Sequence, residues 1–311
     1  MDVAAGATDG FGTFMDWDKL KTFHAAAEAG SLTGAAELLN LSQSAVSRQI
    51  SALEGELSAK LFHRHTRGLL LTEPGRVLFT ATAEVAAKIA LAEAHLQDIR
   101  DEPSGLLRVT APTALGAIWL APRLTRFREQ FPQIRIRLLL VDHELDIANL
   151  EADLAIRPWA ATQNDVIQKK LMQVDQHLYA SEPYLTRVGE PTGVDDLDRH
   201  EFVAYGPKHL APIPNLNWPL VLGLKPGDKP REPVIEANTI NGMMKACEAG
   251  LGLAGLPDYV ARENDRLKRV LPDQAGPPFE VYMLYPQELR GSRRIAAFSE
   301  FLSEEVKRWE A

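Results

Sequence analysis

Ser42, Gln43, Ser44, Ser47, Arg48 and Gln49 crowd hydrogen-bonding side chains into eight consecutive positions. Gln and Arg make bidentate contacts to adenine and guanine edges, and Ser is a short donor or acceptor tolerant of sequence. Their apolar companions Ala45, Val46, Ile50, Leu53 and Leu57 recur at helical spacing, which puts polar and apolar residues on opposite faces of one helix. A little further on, Lys60, His63, Arg64, His65 and Arg67 surround Leu61 and Phe62. Cations so placed suit phosphate contacts, which position a protein on a duplex without reading its sequence. A solvated basic loop beside a core helix pair would carry the same residues, so their types alone leave both readings open.

The elements that must position these residues follow from spacing. Leu32, Ala35, Ala36, Leu38 and Leu39 predict a short helix ahead of the polar one, and only Asn40-Leu41-Ser42 separates the two. Ser31 and Ser42 stand where a side-chain oxygen caps each helix. Two helices joined so tightly must cross steeply, a helix-turn-helix whose second member can enter a major groove. A first helix is predicted over Asp16–Ala29, with Trp17, Leu20, Phe23, His24 and Ala27 on one face. No metal partner sits at helical spacing from His24, which reads as a packing or surface residue. Gly68 and Leu69–Leu71 complete a small hairpin, and Thr72, Glu73 and Pro74 open a long helix as cap, first-turn charge and early proline. In that helix Leu78, Val85, Ala92 and Ile99 recur every seven residues, with Thr82, Ile89 and Leu96 between them. The stripe fits two helices pairing, or one amphipathic helix packed on its own domain.

Residues 17–75 resemble the winged helix-turn-helix of LysR-type transcriptional regulators. The resemblance is carried by Phe23, Ala29-Gly30-Ser31-Leu32, Ala35-Ala36, Leu41-Ser42-Gln43-Ser44-Ala45-Val46-Ser47, Ile50, Leu53-Glu54, Leu61-Phe62, Arg64 and Leu71-Thr72-Glu73-Pro74-Gly75. Ser58-Ala59 departs from it, since the family commonly has a glycine there. The resemblance implies a mainly α winged helix-turn-helix over 16–75 and a linker helix over 76–102 that dimerises the chain. It also implies a two-lobed α/β effector-binding domain of periplasmic-binding-protein type over 103–311. Lobe I would take 106–180 and 281–311, and lobe II 181–280. The DNA contacts would be Ser42, Gln43, Ser44, Ser47, Arg48 and Gln49, with Arg64, His65 and Arg67 on the wing. The implied partners are an inverted-repeat operator in double-stranded DNA, a small-molecule effector, a homodimer or homotetramer, and RNA polymerase.

After the breaker-rich Asp101–Gly105, the residues read as alternating strands and helices. Strands are predicted at 106–110, 134–141, 153–157, 178–180, 202–205, 234–237, 252–256 and 279–285, and helices at 117–130, 145–151, 239–249 and 295–309. Another helix starts at Glu182 behind Ser181 as its cap, and 207–233 reads as loops and edge strands. Alternation of this kind builds a parallel sheet covered by helices, whose ligands sit at the C-terminal strand ends beside helix N-termini. That rule selects Pro112, Thr113, Ala114, Arg157, Asn238 and Thr239, with Tyr205 a weaker candidate. Helix dipoles and Arg157 together suit an anionic effector. Thr113, Asn238 and Thr239 would serve equally as plain helix caps.

A chain of 311 residues suits two or three domains, and its net charge of −8 argues against a nucleic-acid binder when taken whole. Between Trp17 and Arg76, however, basic residues slightly outnumber acidic ones, so the excess acid lies elsewhere. The single cysteine, Cys247, excludes an intrachain disulfide and reads as a small core residue. No apolar run is long enough for a membrane span. Residues 1–15 lack a signal-peptide pattern and read as disordered, with Met15 an alternative start. A cytoplasmic, nucleoid-associated location follows from the resemblance. Gly250–Gly255 matches G-x-G-x-x-G but follows a helix and enters a strand, the reverse of a dinucleotide site. His143-Glu144 and His200-Glu201 are isolated dyads, and the sequence holds no nucleophile-elbow, phosphate-loop or zinc-protease motif. Neither enzyme activity nor a cofactor or metal is expected.

Overall fold

The computed structural model describes residues 16–65, 68–98, 102–147, 150–161, 165–207 and 211–310. The expectations for residues 1–15 and for Ile99 fall outside it. The chain divides between Ala90 and Leu91 into two compact units.

The first unit holds helices α1 (Trp17–Ala29), α2 (Leu32–Leu39) and α3 (Gln43–Glu56), the hairpin β1 (Phe62–His65) and β2 (Gly68–Leu71), and the start of α4 (Glu73–Asp98). Ser31 and Ser42 cap as their types require, accepting from Gly34 N–H at 3.0 Å and Ala45 N–H at 3.2 Å. Asn40 turns the chain between α2 and α3 at φ 53°. Phe23, Val46, Ile50 and Leu53 pack together, each contributing roughly 1.5–3 kcal/mol by burial. Buried Glu54 ties α3 to the hairpin, accepting from Leu61 N–H at 2.9 Å and Lys60 Nζ at 2.8 Å. Gly75 admits no side chain, because a Cβ there would overlap the Leu61 carbonyl. Ser58, where a glycine was expected, takes the left-handed conformation itself at φ 50°.

Along α4, Leu78 packs on the first unit's core and Thr82 is buried against it, its hydroxyl 3.0 Å from His24 Nδ1. His24 stacks on Phe79 with centroids 5.0 Å apart, which makes it the packing one of the two alternatives, packing or surface. Val85 and Ile89 are each 41% exposed. The heptad stripe is therefore consumed within the unit at its start and open further along.

The second unit is built on one sheet of eight strands in the order β4-β3-β5-β10-β6-β9-β7-β8. In chain order these are β3 (Gly105–Ala111), α5 (Ala121–Gln130), β4 (Ile134–Leu140), β5 (Leu154–Arg157) and β6 (Val166–Ser181). There follow α6 (Glu182–Val188), β7 (Phe202–Tyr205), β8 (Ile235–Ala237), α7 (Ile240–Glu248), β9 (Leu253–Pro257), α8 (Asp258–Ala261), β10 (Leu267–Pro286) and α9 (Arg293–Glu310). β3 pairs parallel with β4 and β5, and β7 with β8 and β9, giving one lobe on each side. β6 and β10 run antiparallel through both lobes and join them. The strands predicted at 178–180 and 279–285 are thus only the ends of far longer ones.

Two further expectations are corrected. The described part of 145–151 forms a turn in place of a helix, with the Glu151 carboxylate accepting from Asp146 N–H at 2.6 Å and Leu150 at φ 56°. Ser181 stands at the α6 cap position but its buried hydroxyl makes no cap bond. In the proline-rich stretch, Trp218 lies on the backbone of Gly276, where even a Cβ would meet the indole. On the other lobe, Phe127 packs against Phe298 and Phe301 at 5.1 Å, joining α5 to α9.

Candidate functional site

On α3 the buried residues Val46, Ile50, Leu53 and Glu54 define the inner face. Ser42, Gln43, Ser44 and Arg48 are exposed on the other, and Ser47 is half-buried at its edge. Ser42 and Ser44 hydroxyls lie 3.0 Å apart, which presents them as one polar cluster at the start of the helix. Gln49 is different: its side-chain carbonyl accepts from Thr22 of α1, leaving its amide nitrogen as the free end. On the hairpin His65 pairs with Gly68 and Arg64 with Leu69, and both His63 and His65 are exposed. Arg67 and the side chain of Arg64 fall outside the description. Burial pushes the Glu54 carboxylate up, but hydrogen bonds from Lys60 and from Leu61 N–H outweigh it and hold the group below the usual range. The base of the wing is thereby fixed to the end of α3.

A second polar site lies at the C-terminal ends of β3, β4 and β5. Pro112, Thr113 and Ala114 follow β3, and residues 113–130 form one continuous helical run, π-helical over Leu115–Leu120. Thr113 N–H donates to Asp142 Oδ1 at 2.8 Å, so the chain's own carboxylate sits on this helix start. Arg157 is only 1% exposed, with Nη2 donating to Thr110 Oγ1 at 2.8 Å. Burial draws its pKa down to about 10, against the raising influence of Glu144 and Asp142. In the facing lobe the buried Tyr205 donates from its hydroxyl to the Asn238 carbonyl at 2.7 Å. Burial and the Asp142 charge both push this phenol up. Thr239 caps α7 through Gly242 N–H at 3.0 Å, and Asn238 is exposed beside it.

The strand-end rule therefore brings Thr113, Ala114 and Arg157 together in one lobe, and Tyr205, Asn238 and Thr239 in the other. It missed Asp142 and Thr110. Asp142 stands just past β4 as Pro112 stands just past β3, so the same rule applied to every strand would have found it.

The remaining chemistry-bearing residues are absorbed by the fold. Cys247 is buried, its thiol donating to the Tyr179 carbonyl at 3.3 Å, and desolvation pushes its pKa up to about 12. The Gly250–Gly255 run only turns the chain from α7 into β9. Among the described residues no helix is long and apolar enough to cross a membrane.

A family model described as a bacterial regulatory helix-turn-helix protein of the lysR family matches residues 17–76, and one described as a LysR substrate binding domain matches 100–307. An HTH-type transcriptional regulator of Xanthomonas campestris pv. campestris is 32% identical over 278 residues, covering 88% of this chain and 81% of that protein. PtxR, a regulator of Pseudomonas aeruginosa, is 30% identical with 94% of each chain covered. Full-length AphB, described as a virulence activator of Vibrio cholerae, is 27% identical with a TM-score of 0.59, over 93% of this chain and 98% of that one.

Proposed function

Because the chain belongs to the LysR family of transcriptional regulators, not to a family of enzymes, we propose that α3 reads a major groove while the wing holds the flanking phosphates. Ser42, Gln43, Ser44, Ser47 and Arg48 contact base edges, and Gln49, bonded to Thr22, sets how far α3 stands from α1. Arg64, His65 and Arg67 supply the backbone contacts. The observation that carries this reading is the division of α3: an apolar face sealed at Val46, Ile50 and Leu53, and an uncovered polar face ending in Arg48. Val85 and Ile89 on the open part of α4 support pairing with a second copy, which matches two reading heads to an inverted repeat. A tetramer is two such pairs, and RNA polymerase is the further partner through which a cytoplasmic regulator acts.

The second unit binds a small effector between its lobes, touching Pro112, Thr113, Ala114, Arg157, Tyr205, Asn238 and Thr239. The helix start and the cation beneath it favour an acidic effector. Binding shifts the two lobes only through its differential affinity for their arrangements.

The test is fluorescence anisotropy of the full chain on the duplex upstream of its own gene and on a scrambled one. Arg48→Ala should weaken the specific duplex about tenfold or more, the cost of one base contact, and should narrow the preference over the scrambled one. A native chain with no preference, unchanged by Arg48→Ala, would remove the reading.

A further inference from the structure

The turn after β4 carries Asp142, whose Oδ1 accepts from Thr113 N–H at 2.8 Å. Thr113 opens the helical run 113–130, so its N–H is one of the donors that no helical carbonyl can satisfy. Beneath that turn lies the Arg157 guanidinium. It reaches the carbonyls of Val141 and His143, the two neighbours of Asp142, at 3.4 Å each, and Thr110 Oγ1 at 2.8 Å. All three are neutral oxygens. Its Nε is buried with no hydrogen-bond partner. A buried cation surrounded in this way is costly unless a negative charge shares the site. Glu144 and then Asp142 supply that charge.

The helix start near Arg157 therefore already holds an oxyanion, the Asp142 carboxylate on Thr113 N–H. Asp142 is half-buried on a stretch without regular structure, while Arg157 and Thr110 are fixed in the sheet. Its charge is felt by the phenols of Tyr205 on β7 and Tyr259 on α8, both pushed up chiefly by burial and then by Asp142. Exchanging this carboxylate for a free one would move a charge relative to the second lobe.

We infer that Asp142 is a resident competitor in an acid-binding seat, and that a small carboxylic acid binds by displacing the Asp142 carboxylate from Thr113 N–H above Arg157. The inference rests on the reading of this cleft as the effector site. It makes effector affinity the difference between two carboxylates, one tethered and one free.

Acetate is the probe. Thermal unfolding and calorimetric titration of the full chain are run in sodium acetate against sodium chloride of equal ionic strength, for the native chain, Asp142→Ala and Asp142→Asn. Asp142→Ala should bind acetate at least tenfold more tightly than the native chain, and acetate should raise its unfolding midpoint where chloride does not. Asp142→Asn keeps an oxygen on Thr113 N–H without the charge and should fall between. Equal acetate binding by the native chain and Asp142→Ala would overturn the inference. If Asp142→Ala does not fold, Asp142→Asn decides in the same way: acetate binding several-fold tighter than native supports the seat, and binding equal to native removes it. The cleft itself is judged separately. A change in duplex affinity on adding acetate that disappears in Asn238→Ala with Thr239→Ala would keep the cleft even if equal binding by Asp142→Ala removes the seat.

Discussion

The two units place the charges of their candidate sites in opposite ways. In the first, the side chains proposed to meet DNA are exposed: Arg48, Gln43 and Ser44 project from a helix whose other face is closed. In the second, the charges that matter are inside. Arg157 is 1% exposed and Glu305 is fully buried. A surface that must release and rebind a salt-screened polyanion gains from exposed cations, since their contacts come and go with counterions. A ligand-binding domain needs fixed geometry, and buried charges give it because each has so few acceptable partners.

Glu305→Ala carries the largest expected effect. This carboxylate accepts from Arg126 Nε at 2.9 Å and pairs with Arg126 and Arg308 through their terminal nitrogens, tying α9 to α5. Removing it leaves guanidinium groups facing a vacated pocket, at a cost of about 3 kcal/mol, moderated because Arg126 and Arg308 are half exposed to water although Arg123, 3.9 Å from the carboxylate, is only 12% exposed. Denaturant unfolding should show the transition of the second unit weakened and that of the first unchanged. A shift in both would break the division into independent units. Burial pushes Glu305 up, but Arg126 and Arg308 outweigh it and hold the group below the usual carboxylate range. A folded value below the unfolded one means the contribution is present at neutral pH and lost as pH falls through that depressed value. Glu305→Gln should flatten this acid limb in the second unit alone.

Gly75→Ala probes the first unit in the same spirit. A methyl group there meets the Leu61 carbonyl, which is backbone and cannot swing aside, so the first turn of α4 must lift from the hairpin. The expected loss is about 2 kcal/mol, within the range for overpacking a closed site. Circular dichroism melting should show it in the first transition, together with weaker DNA binding as the wing loosens.

How much of this could be read in advance also differs between the units. The caps at Ser31, Ser42 and Thr72 act on N–H groups three residues away, so local sequence sufficed. The long strands were not local. β10 contains Pro272, Gly276, Pro277 and Pro278, which read as breakers, yet the strand survives them through irregularities between Val270 and Ala275 and between Gly276 and Phe279. Just after Val166 and Ile167, β6 carries the exposed Gln168, Lys169 and Lys170, which interrupt the apolar alternation that would have announced it. Asp142 escaped because the strand-end rule was applied after β3 and β5 but not after β4; that Thr113 N–H lies opposite it follows only from the pairing of β3 with β4.

Ser58→Gly is the finest test, because it sets local sequence against local geometry. The end of α3 closes with Ser58 N–H on the Gly55 carbonyl at 3.2 Å and Ala59 N–H on the Glu54 carbonyl at 3.1 Å. This closure needs a left-handed residue, and Ser58 supplies it at φ 50°. An L-residue there pays roughly 1–2 kcal/mol in Cβ crowding. Glycine removes the crowding but adds freedom to the unfolded chain, so a net gain of about 0.5–1 kcal/mol is expected. The gain should appear in the first unfolding transition only. DNA affinity should stay level, since the exposed face of α3 is untouched. A loss of stability would mean that the serine hydroxyl does work at this turn that a glycine cannot replace.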